Sequence, residues 1–174
     1  AIGLTPTEKT EPKRFDLMHD INVRGTFFMS KACIPHLKKS TNPHILTLSP
    51  PINMDMKWFA NHIAYTLSKY NMTMIALGLA AELKKDGIAA NALWPRTTIA
   101  TAAVQNLLGG DMLINMSRTP EIVADAAYYI LSKSSRECTG NAFIDEAVLA
   151  AEGITDLEKY SVVPGAELYN DLFV

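Results

Sequence analysis

Apolar residues recur at helical spacing from Pro12 to Lys39. Phe15, Met18, Ile21, Gly25, Phe28, Met29, Ala32 and Leu37 mark one long helical stretch that ends in Lys38-Lys39, where lysines suit the negative end of a helix dipole. Asn22, Val23 and Gly25 in its middle predict a local distortion, and Pro35 predicts a kinked or early-stopping last turn. Beyond the Ser40-Thr41-Asn42-Pro43 turn, His44-Ile45-Leu46-Thr47-Leu48-Ser49 is a short apolar run halted by Pro50-Pro51, the signature of a buried strand. A second long helix is expected from His62 to Lys85, with Ile63, Leu67, Met74, Leu77, Leu79, Ala80 and Leu83 at helical spacing. It is rich in small residues that let a neighbour approach closely.

Asp86-Gly87 stops that helix. Ile88 to Trp94 is then a second buried strand ending at Pro95. Thr119-Pro120-Glu121 is a helix start, with a hydroxyl cap, proline at the first helical position and an acid in the first turn; its helix runs to about Lys133. Gly140 to Ile144 predicts a third short strand. Strands alternating with long helices predict the α/β class, a parallel sheet of about three strands with crossover helices. One domain over residues 1–174 is expected, with 151–174 as its tail.

Composition narrows the function classes. With 174 residues, 48% hydrophobic and 20% charged, the chain can close one core. Sixteen basic against eighteen acidic residues give a net charge of −2, which argues against a nucleic-acid partner. Cys33 and Cys138 stand in no ligand spacing, and His19, His36, His44 and His62 are dispersed, so no metal site is expected. Thr97 to Gly110, a long uncharged run rich in Thr, Ala and Gly, is too short and polar to span a bilayer. Ala1-Ile2-Gly3-Leu4 has no basic start or apolar run of a signal segment, and Asp171-Leu172-Phe173-Val174 is no peroxisomal tripeptide. A reducing compartment, the cytoplasm, is the expectation, with peroxisome or mitochondrion left open.

The chemical feature is Tyr65-Thr66-Leu67-Ser68-Lys69. Residues four apart share a helix face, so the ammonium can lie near the phenol. A nearby cation favours phenolate, which predicts a Tyr65 pKa lowered from its ordinary ~10 and a proton donor or acceptor near neutrality. A second Tyr-x-x-x-Lys, Tyr129 to Lys133, follows a surface-type helix start and is expected to be solvent cover. The first pair instead lies between two strands that end in Ser49 and Pro95, and the carboxyl ends of parallel strands face one ligand crevice.

The order Asn22, Ser49, Tyr65, Lys69, Asn91…Pro95 and a threonine-rich stretch, with Thr139-Gly140-Asn141…Ile144-Asp145 at the last strand, resembles the short-chain dehydrogenase/reductase family. Ser49-Pro50-Pro51 and Trp94-Pro95-Arg96-Thr97 narrow the likeness to one subgroup. The resemblance implies a Rossmann-type doubly wound sheet and an NAD- or NADP-dependent oxidoreductase acting on an alcohol or carbonyl of a hydrophobic substrate. Tyr65 would exchange a proton with the substrate oxygen. Lys69 would hold the nicotinamide ribose, and Asn22 would hold a water that continues the proton relay. Pro95, Thr97, Thr98 and Ile99 would lie along the carboxamide, with Thr101 at the pyrophosphate. Trp58-Phe59 and Leu107-Leu108 would supply apolar walls.

Departures from the family pattern set further expectations. The family serine stands 13 positions before the tyrosine, whereas Ser49 stands 16 before Tyr65; with two residues inserted between them, the usual place falls on Pro50. Orienting the substrate and capping the strand end both remain open for Ser49. Arg96 replaces a glycine. None of the nine glycines forms the TGxxxGxG turn that cradles pyrophosphate, so the resemblance implies the carboxyl-terminal part of a reductase, with weak dinucleotide binding or none by these residues alone. It also implies pairing of helices 12–39 and 62–85 with their copies in a homodimer or homotetramer. That leaves a second function class, a non-catalytic fragment or paralogue that retains the association surface.

Overall fold

The computed structural model describes residues 1–174 and has a three-stranded parallel sheet in the order β1-β2-β3: β1 His44–Leu48, β2 Ala89–Trp94 and β3 Ala142–Ile144. All six residues of β2 are buried, which explains its unbroken apolar run. The first helical stretch divides into α1 (Pro12–Met18), a π-helical turn (His19–Arg24) and α2 (Gly25–Leu37). The expected distortion is thus a widened turn, and it carries Asn22 into the interior at 5% exposure. Pro35 lies inside α2, two residues from its end, where one lost hydrogen bond is tolerated.

α3 (Ile63–Glu82) crosses from β1 to β2, and Gly87 ends the 3-10 turn behind it in the left-handed region at φ 70°. The next connection contains a π-helical turn (Val104–Leu108), α4 (Gly110–Asn115) and α5 (Glu121–Ser132); α6 (Asp145–Ala151) follows β3 directly. Period-2 alternation sends Ala90 towards Leu79, Ala80 and Leu83 of the α3 layer. Leu93 faces the other way, onto Ile122, Ala126 and Ile130 of α5 and Leu149 of α6. Helices on both faces leave the carboxyl ends of the strands at one edge, where α3 begins. Around that edge a third cluster joins Met18, Ala64, Tyr65, Tyr70, Trp94 and Phe173.

The outer edge of β1 is unpaired, and a groove of 370 Å³ separates it from α2, lined in part by Met29, Cys33, Leu37 and Leu48. Both cysteines are free. No helix is long and apolar enough to cross a membrane.

Candidate active site

Tyr65 stands in the first turn of α3 and Lys69 one turn later. The Lys69 Nζ donates to the Leu48 carbonyl oxygen at 3.0 Å and lies 4.9 Å from the centre of the Trp94 ring. The pair therefore sits at the carboxyl ends of β1 and β2, as the spacing predicts. Tyr129 and Lys133 do not resemble it: the Lys133 Nζ is 2.9 Å from Glu152 at the surface.

Asn22 reaches the same helix from below. Its Nδ2 donates to Ser68 Oγ at 3.0 Å and to the Ala1 carbonyl at 2.9 Å, and Ser68 Oγ donates to the Tyr65 carbonyl at 2.8 Å. Asn22 thus ties the π-helical turn to the turn of α3 that carries Tyr65. Ser49 is fully buried, and its hydroxyl accepts from Thr73 at 2.9 Å. Thr73 is two turns beyond Tyr65, a rise of about 12 Å along the helix. The hydrogen-bond partner of the Ser49 hydroxyl is thus Thr73 and not the phenol, and Pro50 beside it is buried as well.

Past Pro95, the Thr97 hydroxyl is buried without a hydrogen-bond partner. Thr98 pairs with Ser117 at 2.8 Å, Ile99 packs on the α5 core, and the exposed Thr101 accepts from the Val104 amide at 3.4 Å. Of this row, Thr97 alone holds a hydroxyl that lacks a partner. Arg96 is exposed, and its backbone N–H donates to Asp145 Oδ1 at 2.8 Å. Asp145, fully buried at the start of α6, also accepts from the Glu146 amide and so fixes the turn after β2.

Residues 169–174 complete the site, and sequence reading passed over them. The Thr98 amide donates to the Tyr169 carbonyl and the Asp171 amide to the Arg96 carbonyl, while Trp94 Nε1 donates to the Leu172 carbonyl at 2.9 Å. This strap buries Tyr65 to 5% exposure. One expectation is corrected: the phenol is pushed up from its ordinary value, by burial first and then by the Asp171 carboxylate. Lys69 is turned to Leu48 and does not offset the burial. Burial lowers the Lys69 amine to about 8 against the attraction of Asp171, and burial raises Asp171 to about 6 against the attraction of Lys69.

Asp171→Asn is expected to move the Lys69 titration below about 8, because the charge that favours the ammonium is gone, and to bring Tyr65 down towards its ordinary value. Titration of the dimethylated lysines by NMR reads the first shift. An unmoved Lys69 resonance would show that Asp171 does not act on it.

A three-stranded parallel sheet with crossover helices on both faces is a Rossmann-type α/β arrangement. Residues 1–146 match the family described as enoyl-(acyl carrier protein) reductase. The chain is 55% identical to hydroxysteroid dehydrogenase-like protein 2 of Xenopus tropicalis over all 174 residues, which span 41% of that relative's length. It resembles a solved short-chain dehydrogenase of Mycobacterium thermoresistibile at a TM-score of 0.92 and 56% identity, over the whole of this chain and 61% of that one. A 3-ketoacyl-(acyl-carrier-protein) reductase of Brucella melitensis, solved with NADH, matches at a TM-score of 0.65 and 28% identity over 82% of this chain and 61% of its own. The chain belongs to the short-chain dehydrogenase/reductase family.

Proposed function

We propose that the protein interconverts an alcohol and a carbonyl on a hydrophobic substrate, with NAD or NADP as the second substrate. The observation that carries this reading is the Tyr65/Lys69 pair, one helical turn apart at the carboxyl edge of the sheet and walled by Trp94. The dinucleotide supplies or takes up the hydride. Tyr65 donates a proton to the forming alkoxide, or takes one from the alcohol in the reverse direction. The Lys69 ammonium holds ribose hydroxyls and stabilises the phenolate that remains. The Thr97 hydroxyl, buried without a partner, supports a polar group of the cofactor in that place, with Pro95, Thr98 and Ile99 as its frame and Thr101 further out. Trp58, Phe59, Leu107 and Leu108 make the substrate's surroundings apolar. Ser49, held by Thr73, acts in this reading as a strand-end anchor, and Asn22 positions the Tyr65 turn. The two free cysteines fit a reducing compartment such as the cytoplasm.

A second reading, a non-catalytic chain that keeps an association surface, is favoured by the outer faces of the long helices. Ile21, Phe27, Phe28 and Met29 before and within α2, and Leu67 and Met74 on α3, are 41–68% exposed. Such a face suits pairing with a second copy, in a dimer or tetramer, and is compatible with catalysis as well.

The readings separate in an assay with millimolar NADH or NADPH and aliphatic ketones. Dinucleotide-dependent turnover is expected, with Lys69→Met raising the KM for dinucleotide by about 10- to 100-fold, the scale of one lost hydrogen bond to a charged group. No turnover with either dinucleotide, or turnover indifferent to Lys69→Met, would overturn the oxidoreductase reading.

A further inference from the structure

The Phe173 ring is 2% exposed and stands among five other aromatic rings. Its centroid is 5.2 Å from Tyr70, 5.6 Å from Trp58, 6.1 Å from Trp94, 6.2 Å from His62 and 6.2 Å from Tyr65. Its backbone holds a φ of 75°, a conformation that an L side chain adopts only where its surroundings enforce it. The enforcing contacts are on either side: the Leu172 carbonyl accepts from Trp94 Nε1, and the Leu172 amide donates to the Asp171 carboxylate at 2.7 Å. The ring is thereby inserted into the space beside the Tyr65 phenol, against the loop that carries Trp58 and His62. Nothing in the proton or hydride chemistry uses this ring.

We propose that Phe173 is a specificity-determining residue: it fills an aromatic box beside Tyr65 and so limits the group that a substrate can carry next to its carbonyl carbon. The inference rests on the oxidoreductase reading above. A carbonyl oxygen that meets the phenol puts one of its carbon substituents towards the box. With the box filled, a small alkyl group is accommodated and a cyclic or branched group collides with the Phe173 ring. Shape selection of this kind in an apolar pocket is worth about one to two orders of magnitude in kcat/KM.

The test compares 2-butanone with cyclohexyl methyl ketone in the wild-type protein, Phe173→Ala and Phe173→Leu. The ratio of kcat/KM, cyclic over linear, is expected to rise at least tenfold in Phe173→Ala and at least threefold in Phe173→Leu, which retains apolar volume should the alanine variant fail to fold. A ratio within twofold of wild type in the folded variants would overturn the assignment. A loss of the underlying reading has a different signature, turnover absent throughout or indifferent to Tyr65→Phe. In that event the box is read without turnover. The protein's two tryptophans, Trp58 and Trp94, both flank Phe173. Their emission should report saturable binding of cyclohexyl methyl ketone at least tenfold tighter in Phe173→Ala, or threefold tighter in Phe173→Leu, than in wild type; equal affinity would overturn the box.

Discussion

Tyr65→Phe is expected to lower kcat by about a thousandfold, with the KM values for ketone and dinucleotide changed little. The substitution removes one hydroxyl and leaves the ring in its cluster with Met18, Ala64, Trp94 and Phe173. Burial, and then the Asp171 charge, raise that phenol above its ordinary value and keep it protonated. A positioned general acid contributes roughly 10²- to 10⁴-fold, because without it the alkoxide must take its proton from water that this buried site admits poorly. A loss in kcat without a loss in binding is the mark of a group that acts in the transition state. Stability should stay within about 0.5 kcal/mol of wild type, since the variant opens no cavity. Single-turnover kinetics beside a thermal melt separates the two effects. A kcat within threefold of wild type in a folded variant would remove Tyr65 from the proton step.

Local patterns carried much of the fold into the sequence. The apolar run of β2 was legible because all six of its residues are buried and Pro95 ends it. α3 was legible because its apolar positions keep a 3.6-residue period for five turns and its Tyr/Lys pair needs no partner outside the helix. The trouble around Asn22 and Gly25 was legible as a distortion, but its form as a π-helical turn depends on Ser68, which lies on another helix. α4 and α6 escaped notice. At six and seven residues they are too short for a period to show, and α6 starts without a linker after β3. The strap at 169–174 left no local signal, since its order comes from backbone hydrogen bonds to residues 94–98. That is also why the direction of the Tyr65 shift was misread. The helix alone shows a lysine beside a phenol, whereas the burial that outweighs it is imposed by Phe173 and Asp171 from far along the chain. Ser49 is the same lesson on a smaller scale: spacing left its role open, and Thr73 engages its hydroxyl.

Asn91→Leu should destabilise the protein by about 3 kcal/mol and loosen the loop after β2 with it. Asn91 is fully buried in the central strand, on the α5 side of the sheet, where Leu would fit by volume. Its Nδ2 donates to the Cys138 carbonyl at 2.7 Å, and its Oδ1 accepts from both the backbone amide and the side-chain amide of Asn141 at 3.0 Å. These bonds latch the turn before β3 onto β2, beside the Gly140 amide bonded to the Ala90 carbonyl and the Ala92 amide bonded to the Asn141 carbonyl. Leucine orphans one backbone carbonyl and one backbone amide in the interior, at roughly 1–3 kcal/mol each, partly offset by its own apolar burial. The consequence reaches the site because β3 runs into Asp145, whose carboxylate accepts the Arg96 amide and holds the segment from Pro95 to Thr101. Urea denaturation should give the loss in stability, equivalent to roughly 6–12 °C in melting temperature for a domain of this size. Native-state hydrogen exchange should show the Arg96 amide losing more protection than the interior of α5, since α5 keeps its packing on Leu93. Equal losses at both would mean that Asn91 serves only global stability, and a change below 0.5 kcal/mol would mean that the latch is held by the neighbouring backbone pairs alone.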